Sequence, residues 1–99
     1  MEMQIEDLGN KGKIILFGDL DTNSSPEAEK IFLEAAERFG NIILDMRNVE
    51  YVSSAGLRVL KRLVVFLKEK DGELEVMNVK EEVMEVFSMV GFSKFLNIR

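Results

Sequence analysis

Cysteine and histidine are both absent from this 99-residue sequence. Without cysteine, the chain has no disulfides, no thiol catalysis and no cysteine-ligated metal. Without histidine, it has neither a Ser-His-Asp triad nor histidine-ligated zinc. Two carboxylates stand close together at Asp19 and Asp21, but further ligands at metal-binding spacing are lacking. The sequence therefore predicts no metal and no cofactor.

Long hydrophobic runs are missing as well. No apolar stretch approaches the roughly 20 residues that a transmembrane helix requires. The segment Met1–Asn10 carries neither the positive nor the apolar region of a signal peptide. We therefore expect a cytoplasmic protein that does not associate with membranes.

Basic residues are in the minority. Lys and Arg total 13 against 18 Asp and Glu, which gives a formal net charge of −5. Such a chain lacks the basic surface that general nucleic-acid binding requires, and anionic membranes repel it. The composition, 46% hydrophobic and 31% charged, is typical of a globular protein. The length predicts a single domain over residues 1–99.

The apolar residues predict strands that alternate with helices. Strands are expected at Met3–Leu8, Lys13–Phe17, Asn41–Asp45, Glu73–Met77 and Phe95–Ile98, the first two as a hairpin. Helices are expected from Ser25 as N-cap to Gly40 as C′ residue, over about Ser54–Lys70, and over Glu81–Val90. This order predicts an α/β domain whose mixed, mostly parallel sheet has four to five strands and at least three helices.

The segment Tyr51–Leu60, YVSSAGLRVL, carries the most information about function. Its serines stand where a loop enters an amphipathic helix, beside N–H groups that have no partner within the helix. Those N–H groups and the helix dipole favour the binding of an anion. Ser53 or Ser54 can therefore cap the helix, and either can also be modified or contacted by a partner.

Catalysis by these serines has little support. A nucleophilic serine needs a base within hydrogen-bond reach, and only Lys61 or an Asp could serve, in an unusual arrangement. The segment does not match G-x-S-x-G, and the glycine-rich loops of nucleotide-binding proteins are absent. We therefore expect a protein that is not an enzyme.

Two groups of charged residues are further candidates for a recognition surface. Asp19 and Asp21 lie in the polar loop after the second strand, and Arg58, Lys61 and Arg62 share one side of the second helix. Each group is either an ordinary solvated surface or part of a surface that recognises a partner.

The ordered set of motifs resembles the STAS domain family, in particular the bacterial anti-sigma-factor antagonists. The matching segments are Gly18–Asp21, Ile42–Asp45, Tyr51–Leu60, Gly72–Met77 and Val86–Ile98, which span nearly the whole chain in the family's order. The resemblance implies a mixed sheet with helices packed on it. It also implies partner switching, in which the unphosphorylated antagonist binds an anti-sigma factor that is a serine kinase and so frees the sigma factor. A PP2C-type phosphatase reverses the phosphorylation.

The resemblance also assigns site residues. The family's phosphorylated serine falls on Ser54, while Ser53 replaces the family's Asp and is a rival acceptor. The implied partner-binding surface comprises Asp19, Asp21, Ser53, Gly56, Arg58 and Arg62. Two alternatives stay open: a STAS accessory subunit of a membrane transporter, in which Ser54 is structural, and a module that binds a small molecule or nucleotide. The oligomeric state is not predicted.

Overall fold

The computed structural model describes residues 1–98 and is built on a five-stranded sheet. The strands follow one another in space as they do in sequence: β1 (Glu2–Asp7), β2 (Lys11–Phe17), β3 (Asn41–Asn48), β4 (Leu74–Met77) and β5 (Asn97–Ile98). The β1–β2 hairpin is antiparallel and every other pairing is parallel. The predicted α/β class and mixed, mostly parallel sheet are confirmed.

Three helices make the crossovers between the parallel strands. They are α1 (Ser25–Arg38), α2 (Ser54–Glu69) and α3 (Glu81–Met89), and a short 3₁₀ turn at Phe92–Lys94 precedes β5. Because every crossover steps to the next strand in the same direction, right-handed connections place all three helices on one face of the sheet.

The hydrophobic core fills the space between this face and the helices. From the sheet it takes alternate residues of the central strands, such as Ile42 and Leu44 of β3, and from the helices Phe32, Leu63 and Phe87. All five side chains are fully buried. The amphipathic patterns of the helices thus explain why the helices pack where they do.

The β2–β3 ladder is longer than the sequence predicts. β3 continues past Asp45 to Asn48, because Phe17 of β2 pairs with Asn48 beyond an irregularity in the ladder. This extension matters for function, since it carries the ladder up to the loop that contains the serine segment.

The ends of α1 correct two predictions. The N-cap is Ser24 rather than Ser25, which is the first helical residue. At the other end, Phe39 leaves the helix in an extended conformation and its ring lies against the backbone of Gly12, so Gly40 does not form a left-handed cap. A tertiary contact of Phe39 therefore decides how this helix ends.

The buried faces of α2 and α3 differ from those that helical spacing predicts. The predicted positions are Leu57, Leu60, Leu63, Val64 and Leu67 in α2 and Val83, Val86, Phe87 and Val90 in α3. Val59 is buried in α2, whereas Leu57 is only partly buried. α3 stops at Met89, and Val90 is exposed because Gly91 adopts a left-handed conformation (φ +77°) that turns the chain away. The predicted last strand is two residues, Asn97–Ile98, preceded by the 3₁₀ turn.

Candidate partner-binding site at the start of helix α2

The serine segment lies at the edge of the sheet where the parallel strands β2 and β3 end. Beyond the strands, the loop after β2 pairs with the loop after β3 through a parallel bridge between Leu20 and Val52. The Leu20 N–H donates to the Tyr51 carbonyl (3.1 Å), and the Ser53 N–H donates to the Leu20 carbonyl (2.8 Å). The two loops therefore form one continuous surface, which we call the loop platform (residues 18–24 and 49–53).

Asp19 holds the loop platform together. Its Oδ1 accepts hydrogen bonds from the backbone N–H groups of Glu50 (2.8 Å) and Tyr51 (3.1 Å). The side chain itself remains exposed. The structure thus brings Asp19 next to the serine segment, where its carboxylate orients the backbone of Glu50 and Tyr51.

Replacing Asp19 by alanine is expected to lower the free energy of unfolding by about 1–2 kcal/mol, because two N–H groups lose a charged acceptor near the surface. Asp19→Asn keeps an acceptor oxygen and serves as the matched control. Urea unfolding of both variants measures the difference. Equal destabilisation by both substitutions would show that the charge of Asp19, not its hydrogen bonds, holds the platform.

Asp21 accepts hydrogen bonds from within its own loop. Its Oδ1 accepts from the backbone N–H groups of Asn23 and Ser24, both at 2.9 Å. The hydrogen bond from the Ser24 N–H is the main reason that the pKa of Asp21 lies below its ordinary value. Asp21 therefore remains charged at neutral pH and shapes the entry into α1.

The structure distinguishes the two serines at the start of α2. Ser53 is the N-cap: its Oγ accepts from the Gly56 N–H (3.2 Å), and its side chain is nearly buried, at 8% exposure. Ser54 is the first residue of the helix and is exposed. Within residues 1–98 the Ser54 hydroxyl makes no hydrogen bond. The capping and accessible roles thus fall on different serines.

Gly56 fits α2 closely against the loop platform. A Cβ at this position would lie 2.7 Å from the Leu20 carbonyl oxygen and 3.0 Å from a Val52 methyl group. Gly56 is buried. The sequence predicts Gly56 as a partner contact, whereas in the structure its missing side chain lets the start of α2 pack closely against Leu20.

The basic residues of α2 divide into paired and unpaired side chains. Arg62 forms an ion pair with Glu29 of α1 at 2.5 Å, which ties the two helices together. Arg58 lies one turn closer to Ser54, at an open groove of about 260 Å³ between the starts of α1 and α2. Among the described residues, neither Arg58 nor Lys61 has an ion-pair partner. Arg58 is therefore the cation most available to a ligand near Ser54.

Two exposed aromatic residues at this edge escaped the sequence analysis. Tyr51 is 55% exposed and Phe17 is 39% exposed, and each belongs to a segment that leads into the loop platform. Exposed tyrosine and phenylalanine are frequent anchors in protein interfaces. The available signal was the position of Tyr51 as the first residue of the serine segment, in a stretch predicted to be a connection.

Small-ligand chemistry finds little support at this site. Across residues 1–98 no group of three or more acidic side chains could hold a metal ion. A hollow of about 540 Å³ is lined by residues of β1 and α1 and by none of the predicted site residues. In the same described part, no helix is long and apolar enough to cross a membrane.

Comparison with known proteins agrees with the motifs. The model of the STAS domain matches residues 3–99. The chain belongs to the STAS domain family. Among curated STAS relatives, the anti-sigma F factor antagonist of Paenibacillus polymyxa is 30% identical over 102 residues, which cover 99% of this chain and 87% of that protein. The Bordetella bronchiseptica protein BtrV is 36% identical over 73 residues, 70% of this chain but just under two thirds (63%) of BtrV.

Solved structures share the fold of this STAS domain. The anti-sigma factor antagonist SpoIIAA in its unphosphorylated form superposes with a TM-score of 0.84 at 20% identity, over 99% of this chain and 88% of SpoIIAA. SpoIIAA from Bacillus in its phosphorylated form gives a TM-score of 0.76 at 19% identity, over 99% of this chain and 91% of that one. At these identities the likeness establishes the fold alone.

Proposed function

We propose that this STAS domain is an anti-sigma factor antagonist that acts by partner switching. The unphosphorylated form binds an anti-sigma factor that is also a serine kinase, and the sigma factor is released. Phosphorylation of Ser54 ends the binding, and a PP2C-type phosphatase restores it. The chain itself catalyses no reaction, and its place of action is the cytoplasm.

The accessible hydroxyl of Ser54 is the observation that carries this proposal. Ser53 already caps α2, so Ser54 is not needed for that task, and its hydroxyl has no hydrogen bond within the described residues. A kinase can therefore reach Ser54 without breaking the cap. The name of the Paenibacillus polymyxa relative, which aligns over 99% of this chain, supports the antagonist function.

The fold should tolerate a phosphate at Ser54. The phosphate adds a charge of about −1.5 to −2 at neutral pH. It would stand at the positive end of the α2 dipole, where the Gly56 N–H is occupied by Ser53 and the first N–H groups of the helix are open. Arg58, one turn along the same side, is an unpaired cation among the described residues. The backbone can therefore keep its conformation in both states.

The same phosphate is poorly tolerated in an interface. The platform beside Ser54 already carries the carboxylates of Asp19, Asp21 and Glu50, and the Asp21 carboxylate is held ionised by its hydrogen bonds. A dianion added to a close protein contact must be desolvated near these charges. Repulsion at the interface, rather than a change of fold, would thus release the partner.

Capture with three baits tests the proposal. Wild type, Ser54→Ala and Ser54→Glu are used to capture proteins from the lysate of the native host. We expect wild type and Ser54→Ala to recover an ATPase of the serine-kinase type, and Ser54→Glu to recover at least tenfold less of it. Addition of ATP should release the wild type but not Ser54→Ala.

Phosphopeptide mapping identifies the acceptor in the same experiment. Label on Ser54 supports the proposal, whereas label on Ser53 would transfer the switch to the capping serine. Equal capture of one transporter subunit by all three baits would favour the accessory-subunit alternative. If no bait recovers a kinase, the antagonist function is wrong for this chain.

A further inference from the structure

A second surface lies on the exposed side of α2, away from Ser54. It is a groove of about 160 Å³ between α2 and the segment that follows α3. Apolar side chains line it almost completely, with lysines at its rim: Lys61, Val64, Val65, Lys68, Phe92, Phe95 and Leu96. We call it the α2 groove.

Aromatic stacking gives the groove a defined wall. Phe87 of the core contacts Phe92 at 6.1 Å between ring centroids, and Phe92 in turn meets Phe95 edge to face at 6.4 Å. Phe95 is nevertheless 59% exposed, and Val65 across the groove is 47% exposed. Phe95 is therefore held in place by Phe92 and still presents apolar surface to solvent, as aromatic anchors of protein interfaces do.

The two charged residues that line the groove itself are both lysines. Lys61 and Lys68 form its rim, and Lys94 lies beside Lys68 in an adjoining hollow that also includes Glu73. None of the three lysines has an ion-pair partner within residues 1–98. The chain as a whole has a net charge of −5, so three unpaired lysines near one apolar groove make the surface there locally basic.

The dimensions of the groove restrict what can occupy it. Pockets for cofactors and drug-sized ligands measure roughly 300–1,000 Å³, about twice this volume or more. A cavity of about 160 Å³ suits one or two apolar side chains of a larger partner. The acidic chain as a whole disfavours an anionic lipid surface. The occupant must offer apolar side chains to the groove and negative charge to the lysines. An amphipathic helix with acidic flanks supplies both.

We propose that the α2 groove is a docking site for an acidic amphipathic helix of a partner protein. The anchors of that helix enter between Val65 and Phe95, and its carboxylates pair with Lys61, Lys68 and Lys94. Ser54 and Val65 are 11 positions apart on α2, roughly 16 Å at 1.5 Å per residue. A protein interface of ordinary size can cover both.

Selection from a random 16-residue peptide library displayed on phage tests the proposal and does not require the partner to be identified first. Wild type is the bait and the double variant Lys61→Glu/Phe95→Ala is the counter-bait. We expect enriched peptides with apolar residues at helical spacing and several Asp or Glu. Synthetic versions should bind the double variant at least tenfold more weakly than wild type.

Lys30→Glu is the matched control, because Lys30 is an exposed lysine of α1 outside the groove. It should bind the selected peptides within twofold of wild type, and thermal unfolding checks that each variant is folded. Peptides that bind wild type and the double variant equally, or that lack acidic residues, would overturn the proposal. So would vesicles of phosphatidylcholine and phosphatidylglycerol that bind wild type while no peptide is enriched, or a wild-type dimer that the double variant abolishes.

Discussion

Asp45→Ala is expected to lower the free energy of unfolding by about 2–4 kcal/mol. The Asp45 carboxylate is fully buried and accepts hydrogen bonds from the backbone and guanidinium of Arg47 and from the Asn78 amide, at 2.9–3.2 Å. Removing one partner of a buried pair typically costs about 3–5 kcal/mol. The expected loss is smaller here, because Arg47 is more than half exposed and water can solvate it after the substitution.

The stabilisation from Asp45 should depend on pH. Burial raises the pKa of Asp45, but the hydrogen bonds from Arg47 and Asn78 more than offset it, so that the pKa lies below its ordinary value. A carboxylate with a lowered pKa in the folded state stabilises the protein above its unfolded pKa of about 4. This contribution is lost as the pH falls through the lower, folded value.

Urea unfolding of wild type and Asp45→Ala, at neutral pH and near pH 2.5, measures both effects. The difference between the two proteins should be largest at neutral pH and shrink in acid. Asp7→Ala is the control, since Asp7 is exposed, pairs with Arg38 and accepts from the Gly9 N–H, and its loss should cost about 1 kcal/mol. A difference between wild type and Asp45→Ala that grows in acid would contradict the expected sign.

Gly56→Val is expected to cost about 3 kcal/mol and to displace the start of α2. The valine side chain would require the backbone carbonyl of Leu20 to move, and that carbonyl is fixed by its hydrogen bond from Ser53. Overpacking of this kind usually costs about 1–3 kcal/mol, and more when backbone is the obstacle. Because Ser54 lies two residues before Gly56, partner binding should also weaken at temperatures where the variant is still folded.

Gly56→Ala sets two effects against each other. Alanine favours a helix over glycine by about 1 kcal/mol, but its Cβ would still lie 2.7 Å from the Leu20 oxygen. We expect the clash to exceed the helix gain and to leave a net loss of about 1–2 kcal/mol. Gly40→Ala is the control, because no atom lies within 4 Å of a Cβ there and the backbone φ is not positive. A Gly56→Ala protein as stable as wild type would show that α2 can shift freely from Leu20.

Much of the fold could be predicted from periodicity, because the relevant forces are local. The spacing of apolar residues predicted the element order, and the helix predicted over Glu81–Val90 ends only one residue earlier, at Met89. The end of α1 and the extra length of β3 could not be predicted in this way. They depend on contacts between distant residues, namely Phe39 against Gly12 and Phe17 beside Asn48.

In the candidate site, too, local sequence patterns predicted some features, while contacts between distant residues decided the others. The sequence located the serine segment but left open which serine caps α2, because both serines suit that task. The choice follows from the pairing of the Ser53 N–H with Leu20, some thirty residues earlier, which fixes Ser53 as the last extended residue. The exposure of Tyr51 and the burial of Gly56 depend on the same loop contact, so neither could be deduced from spacing along the chain.

The agreement between strand order and chain order has a consequence for how the molecule forms. Each parallel pairing closes a single helix-containing crossover between strands that are neighbours in sequence, so the entropic cost of ordering the chain is divided among three successive crossovers. The sheet can therefore grow strand by strand as a ribosome delivers the chain. β5 docks last of the described strands, and Phe95 reaches its place beside α2 only then. During synthesis the loop platform is thus available before the α2 groove.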